Sequence, residues 1–111
     1  MSMAVQVAPP CQDWIDQLPE LAKEEVLAML LVLEQRGVTL GAPYVSPAES
    51  SKYPNEMKRL EFEHAYRLFV IYFFESAEGE FVAAAGGEAT GSYGFDEEIA
   101  PIADEVFENS N

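Results

Sequence analysis

Apolar residues recur at helical spacing through Leu21, Val26, Met29, Leu30 and Leu33, the repeat that lays one face of a helix against a core. Pro19 stands where a first-turn proline is tolerated, and Glu20, Glu24 and Glu25 gather near the positive end of the helix dipole. Arg36 falls in the last turn and Gly37 supplies the stop. A helix is therefore expected from Pro19 to Arg36. Ahead of it, Trp14, Ile15 and Leu18 share a face with Asp13 and Asp16 opposite, which predicts a shorter helix over Cys11 to Leu18. The tight Leu18-Pro19 junction makes the two an antiparallel hairpin.

Beyond Arg36 the period changes. Val38 to Asn55 holds Gly41, Pro43, Pro47 and Pro54 among serines and reads as a long connecting loop. Lys58 to Glu63 alternates charge with Leu60 and Phe62, the pattern of a half-buried strand. After a turn at His64 and Ala65, Tyr66 to Glu75 is a dense aromatic and β-branched run suited to the middle of a sheet covered on both faces. Ser76 to Gly79 reads as a turn, Glu80 to Ala85 as a returning strand, and Gly86 to Gly94 as a loop that the paired glycines free to bend. Asp96, Glu97 and Glu98 then open a helix whose apolar face is Ile99, Ile102, Val106 and Phe107. A short edge strand over Ala4 to Ala8 ends at Pro9 and Pro10. The sum is one α+β domain over residues 1–111: an N-terminal strand and helical hairpin packed on an antiparallel meander, closed by a C-terminal helix.

Charge changes the functional picture. The 111 residues carry 20 Asp and Glu against 6 Lys and Arg, a formal net charge of -14. No basic footprint is present to release counterions from nucleic acid, and anionic membrane surfaces are disfavoured. No apolar run approaches the ~20 residues that span a bilayer, and the first residues lack the pattern of a signal peptide. The lone Cys11 cannot form an internal disulfide, which suits a reducing, cytoplasmic setting. Its pairing with the only histidine, His64, as a nucleophile is disfavoured because the two lie on different elements. No nucleotide loop or metal-ligand cluster is present, so neither a cofactor nor a metal is expected.

Several strings occur in order: Trp14 to Pro19 with the helix ending at Arg36-Gly37, Leu40-Gly41-Ala42-Pro43-Tyr44, Ser51-Lys52-Tyr53-Pro54, Met57-Lys58, Gly86-Gly87-Glu88-Ala89-Thr90-Gly91 and Pro101-Ile102-Ala103-Asp104. Together they resemble the HigB-like branch of the RelE/ParE toxins nearly end to end. The resemblance implies a RelE-like fold and a toxin that enters the ribosomal A site, cleaves mRNA without metal and is held inactive by a cognate antitoxin. In such chemistry the RNA 2′-hydroxyl attacks the adjacent phosphate, so the protein must take a proton, neutralise developing charge and assist the leaving oxygen. Carried over by position, the resemblance implies catalytic roles for Lys58, His64, Arg67 and Tyr93. Arg67 holds its role if the strand is read without a gap after Tyr66; a gap placed to fit Phe74-Glu75 brings Phe69 or Val70 there instead. Tyr93 stands in for the hydroxyl missing from Phe95-Asp96.

Three departures weigh against that chemistry. Glu61 occupies the place of the family's arginine three residues after the lysine, and Ala89 that of the lysine in Gly-Gly-Asp-Lys-Thr-Gly. From Leu68 to the C-terminus there are ten acidic residues and no Lys or Arg. One like charge at ~4 Å costs about 4 kcal/mol at an effective dielectric near 20, as much as one oxyanion donor supplies. Simpler roles stand beside each candidate. Lys58 and Arg59 balance Glu56 and Glu61 on a solvated strand, His64 serves a turn or packing, and Tyr66, Tyr72, Phe73 and Phe74 belong to the core. The pair Glu61 and Glu63 shares one strand face, whereas glycoside chemistry needs opposed carboxylates. Three readings remain: a toxin or toxin homologue acting on translation, partnered by an antitoxin, ribosome and mRNA; a non-enzymatic acidic decoy; or a decayed toxin with neither partner nor phenotype. The decoy would occupy the groove of a basic nucleic-acid-binding protein, as a phage anti-defence inhibitor does.

Overall fold

Two prolines that end one element also begin the next. Strand β1 is Val5–Val7, and Pro9 and Pro10 occupy the first turn of helix α1, Pro9–Asp16, where a missing N–H costs nothing and the fixed φ is already helical. The helix therefore starts two residues before the expected Cys11. The computed structural model describes residues 5–41 and 44–110; the first residue of the expected edge strand, Ala4, lies outside them. The chain reverses through Gln17 and Leu18, whose N–H groups donate to the carbonyls of Trp14 and Ile15, and enters α2, Glu20–Arg36. Gly37 stops α2 at φ 57°, and a 3-10 turn over Gly37–Leu40 leads away.

Strands β2 (Val45–Pro47), β3 (Lys58–His64), β4 (Arg67–Glu75) and β5 (Phe81–Glu88) follow, then helix α3, Phe95–Asn109. The sheet order is β1-β5-β4-β3-β2. The expected meander β3-β4-β5 is antiparallel throughout, and β2 joins its outer edge antiparallel to β3. The helical hairpin carries the chain from β1 at one edge to β2 at the other, and β5, reached last through the meander, lies parallel to β1. β2 corrects the reading of residues 38–55 as a loop throughout: three residues ending in a proline carry no alternation to read.

Period-two alternation divides the core. Leu60, Phe62, Phe69, Ile71, Phe73, Phe81 and Ala83 pack against Cys11, Ile15, Val26, Leu30 and Leu33 of the hairpin. On the opposite face Met57, Val70, Tyr72, Phe74, Val82 and Ala84 pack against Phe95, Ala100 and Ala103 of α3. β4 is thus covered on both sides, as its continuous apolar run predicts.

Three further expectations are corrected. Leu21 is 72 % exposed, because the hairpin buries the face of Ala22, Val26, Leu30 and Leu33. Ile102 is 42 % exposed, and the residues α3 buries are Phe95, Ala100, Ala103 and Asp104. β5 runs through Gly86 and Gly87 to Glu88 where a loop was expected. A Cβ at Gly86 would stand 2.7 Å from Trp14 Cζ3, and one at Gly87 2.8 Å from Phe95 Cε1. The glycines admit a ring from each face of the sheet, and neither makes a bend.

The segment between β2 and β3 is latched to α3. Ser51 Oγ donates to the buried Asp104 at 2.5 Å, and the Lys52 N–H donates to the other carboxylate oxygen at 3.0 Å. Tyr53 packs at a tilt against Phe107 with ring centroids 4.7 Å apart, and its hydroxyl donates to Glu108 at 2.5 Å, a bond that raises the phenol's pKa.

Candidate functional site

The four residues expected to act together are spread over the sheet. Lys58 opens β3 opposite Phe73, and its Nζ donates to the Asn55 carbonyl at 3.3 Å. His64 closes the same strand, about 20 Å away at ~3.3 Å per residue, directly opposite Arg67, the first residue of β4. Alternation places Lys58 and His64 on the hairpin side of the sheet, where His64 Nδ1 lies 3.8 Å from Glu25 of α2. Arg67 is held by Glu88, with Nε 3.2 Å from one carboxylate oxygen and Nη2 3.0 Å from the other. Tyr93 is fully exposed in the loop before α3. Of the four, the fold pairs His64 with Arg67 across adjacent strands and leaves Lys58 at the opposite end of β3.

A tighter constellation lies on the α3 side. Arg59 and Tyr72 are cross-strand partners on β3 and β4. The Arg59 guanidinium pairs with Glu61 through Nη1 and with Asp96 through Nε at 2.9 Å. The Tyr72 hydroxyl donates to the same Asp96 oxygen at 2.5 Å. Asp96 reaches them because it sits in the first turn of α3, where a carboxylate also meets the positive end of the dipole. Arg59, Tyr72 and Asp96, with Ser46, Pro47, Glu49 and Ser50, line a cleft of about 350 Å³.

Its electrostatics are self-contained. Desolvation works against the Arg59 charge, but the bonds to Asp96 and Glu61 outweigh it and the pKa rises. Desolvation, then the bond to Asp96, also raises the Tyr72 phenol, so it acts as a donor and not as a base near neutral pH. For Asp96, desolvation favours the neutral acid, yet the bonds from Arg59 and Tyr72 prevail and hold its pKa below the usual carboxylate range. A depressed folded-state pKa stabilises the protein above the unfolded value, ~3.9 for Asp, and that contribution is lost as pH falls through the folded pKa. The acid limb of a stability-versus-pH curve is therefore expected to flatten in Asp96→Asn, measured by thermal melts between about pH 2 and 5; an unchanged limb would show that Asp96 is not part of it.

This cluster is less visible in sequence than the four expected residues. Arg59 reads as a partner for Glu61, which it is, but Asp96, 37 residues later, reads only as a helix opener. The available signal is Tyr72: a hydroxyl in an otherwise apolar run needs a partner once buried. Cys11 is fully buried, which pushes its thiol up to about 12 and leaves it protonated near neutral pH. Among the described residues no group of three or more His, Cys, Asp or Glu is placed to hold a metal ion, and no helix is long and apolar enough to cross a membrane.

The mixed five-stranded sheet with its helical hairpin and C-terminal helix is a RelE-like α+β fold. The chain is similar to a mutant of the Escherichia coli toxin RelE solved in the free state: the TM-score is 0.59 at 10% sequence identity, over 91% of this chain and 96% of that one. At that identity the likeness is one of fold. No protein-family model matches the chain, and no curated protein matches it in sequence.

Proposed function

We propose that this chain is a non-catalytic homologue of the HigB-like toxins that uses the RelE-like scaffold to bind a basic partner and does not cut RNA. The observation that carries this reading is the closure of Arg59 on Glu61 and Asp96. A phosphate entering that cleft would have to displace two carboxylates from the guanidinium and then lie beside them, and Glu49 on the rim adds a third repulsion. Two other cations also face carboxylates: Arg67 is held by Glu88, and Lys52 lies 3.9 Å from Glu108. A surface of charge -14 favours a cationic companion, such as the nucleic-acid-binding groove of a protein that an acidic decoy would occupy.

A second reading, ribosome-dependent mRNA cleavage relieved by an antitoxin, draws on the apposition of His64 and Arg67 at one end of β3 and β4. In that reading His64 acts as base, Arg67 meets the reacting phosphate, Tyr93 aids the leaving group, and Lys58, a strand's length away, meets the RNA backbone farther along. Expression without an antitoxin, followed by mapping of mRNA ends on translating ribosomes, separates the two. Intact message and unimpaired growth are expected, together with capture of basic proteins that weakens steeply with salt. Message cleavage that disappears in Lys58→Ala, His64→Ala or Arg67→Ala would establish the enzymatic reading instead.

A further inference from the structure

The turn joining β3 to β4 is built from residues that the turn does not favour. His64 and Arg67 face each other across a two-residue connection, and both central residues, Ala65 at φ 51° and Tyr66 at φ 66°, adopt the left-handed region. Such turns ordinarily take Asn-Gly or a similar pair, because a Cβ there is strained. Tyr66, expected in the core, gains nothing inside the fold in exchange: the turn takes it off the strand and leaves it 98 % exposed.

It is not the only bare aromatic residue at that end of the sheet. The loop after β5 is tied to the start of β4: the Leu68 N–H donates to Thr90 Oγ1 at 2.6 Å, and the Ala89 N–H donates to the Leu68 carbonyl at 2.8 Å. This brings the fully exposed Tyr93, three residues beyond Thr90, to the same end. On the neighbouring strand Tyr44, 44 % exposed, precedes β2 and accepts the Glu61 N–H through its carbonyl. It borders a cleft of about 480 Å³ that also holds Glu25, Glu61, Glu63 and Leu68.

We infer that the exposed tyrosines Tyr44, Tyr66 and Tyr93 form the docking surface for an arginine-rich segment of the partner protein. Charge complementarity selects the occupant: a chain of net charge -14, with Glu25, Glu61 and Glu63 in the cleft beside Tyr44, repels a nucleic-acid strand and attracts a cation. Geometry selects arginine over lysine, because a planar guanidinium stacks on a tyrosine ring while its edge donates to a carboxylate in a fork, and an ammonium does neither as well. The inference rests on the basic-partner reading above and adds to it where the partner docks and through which side chain.

The test titrates the full chain with fluorescently labelled nona-arginine and nona-lysine peptides at physiological salt, with a single-stranded uridine oligonucleotide as a third probe. Nona-arginine is expected to bind more tightly than nona-lysine. Tyr66→Gly should weaken arginine binding about two- to fivefold, the scale of one exposed cation-ring contact, and leave lysine binding unchanged. Glycine suits the turn, so this variant should melt no lower than the parent; Tyr66→Phe, which keeps the ring, should retain binding. Equal affinity for both peptides, untouched by Tyr66→Gly, would overturn the tyrosine surface while leaving the basic-partner reading standing. Failure of either peptide to bind would remove both, and tyrosine-dependent binding of the oligonucleotide would make the surface a base-stacking platform instead.

Discussion

Arg59→Ala is expected to destabilise the protein by about 2 kcal/mol, seen as a fall of about 10 °C in the melting midpoint. The substitution leaves Asp96 and Glu61 facing each other with no cation between them, and leaves the Tyr72 hydroxyl donating to an uncompensated carboxylate. Breaking a fully buried pair in this way costs about 3–5 kcal/mol. Here Arg59 is 19 % exposed but its partners are about a third exposed, so water screens part of the repulsion. Arg59→Lys keeps the charge but loses the two-sided fork, and an intermediate loss is expected. A double-mutant cycle between Arg59→Ala and Asp96→Ala isolates the pair; a coupling near zero would show that solvent, not Arg59, balances Asp96. The same cycle bears on function, because a guanidinium that stabilises the fold by holding two carboxylates is not available to a phosphate.

Gly86→Ala is expected to cost a similar amount, about 2–3 kcal/mol, through crowding instead of charge. The new methyl would stand 2.7 and 2.8 Å from two carbon atoms of the Trp14 indole and 3.1 Å from the Val70 carbonyl oxygen. Moving the indole also gives up its contact with Phe69, whose ring centroid lies 6.1 Å away. Either the indole leaves its place and loosens α1, or β5 moves away from β4. Gly87→Ala should be milder, because its close contact is one edge of the Phe95 ring, with the next atom at 3.4 Å. Trp14→Leu combined with Gly86→Ala should recover part of the loss, giving a coupling of opposite sign to two independent core substitutions. A Gly86→Ala protein that melts with the parent would mean that the strand is not packed this closely.

The elements that could be read along the chain are those whose signal is local. The Leu30–Leu33 repeat and Gly37 mark α2, the alternation around Leu60 and Phe62 marks β3, and the apolar run before Glu75 marks a strand covered on both faces. β2 was not legible, since Val45–Pro47 has neither length nor alternation and is a strand because β3 offers it an edge. The two glycines of β5 were read as flexible, and only the approach of Trp14 and Phe95 shows them to be points of contact. Leu21 and Ile102 follow the helical period yet face solvent, because periodicity marks a stripe without saying which of two stripes the rest of the molecule will cover.

The candidate site divides in the same way. Net charge, the solitary Cys11 and the scarcity of cations are properties of composition, and the proposal of a basic partner starts from them. Composition also contains Lys58, His64, Arg67 and Tyr93, but not the fact that a strand's length separates Lys58 from His64. Arg59, Tyr72 and Asp96 come from two strands and the start of a helix 37 residues away. Hydrogen bonds act over about 3 Å, so which donors and acceptors meet is decided by the packing of α3 on the sheet and not by their order in the chain.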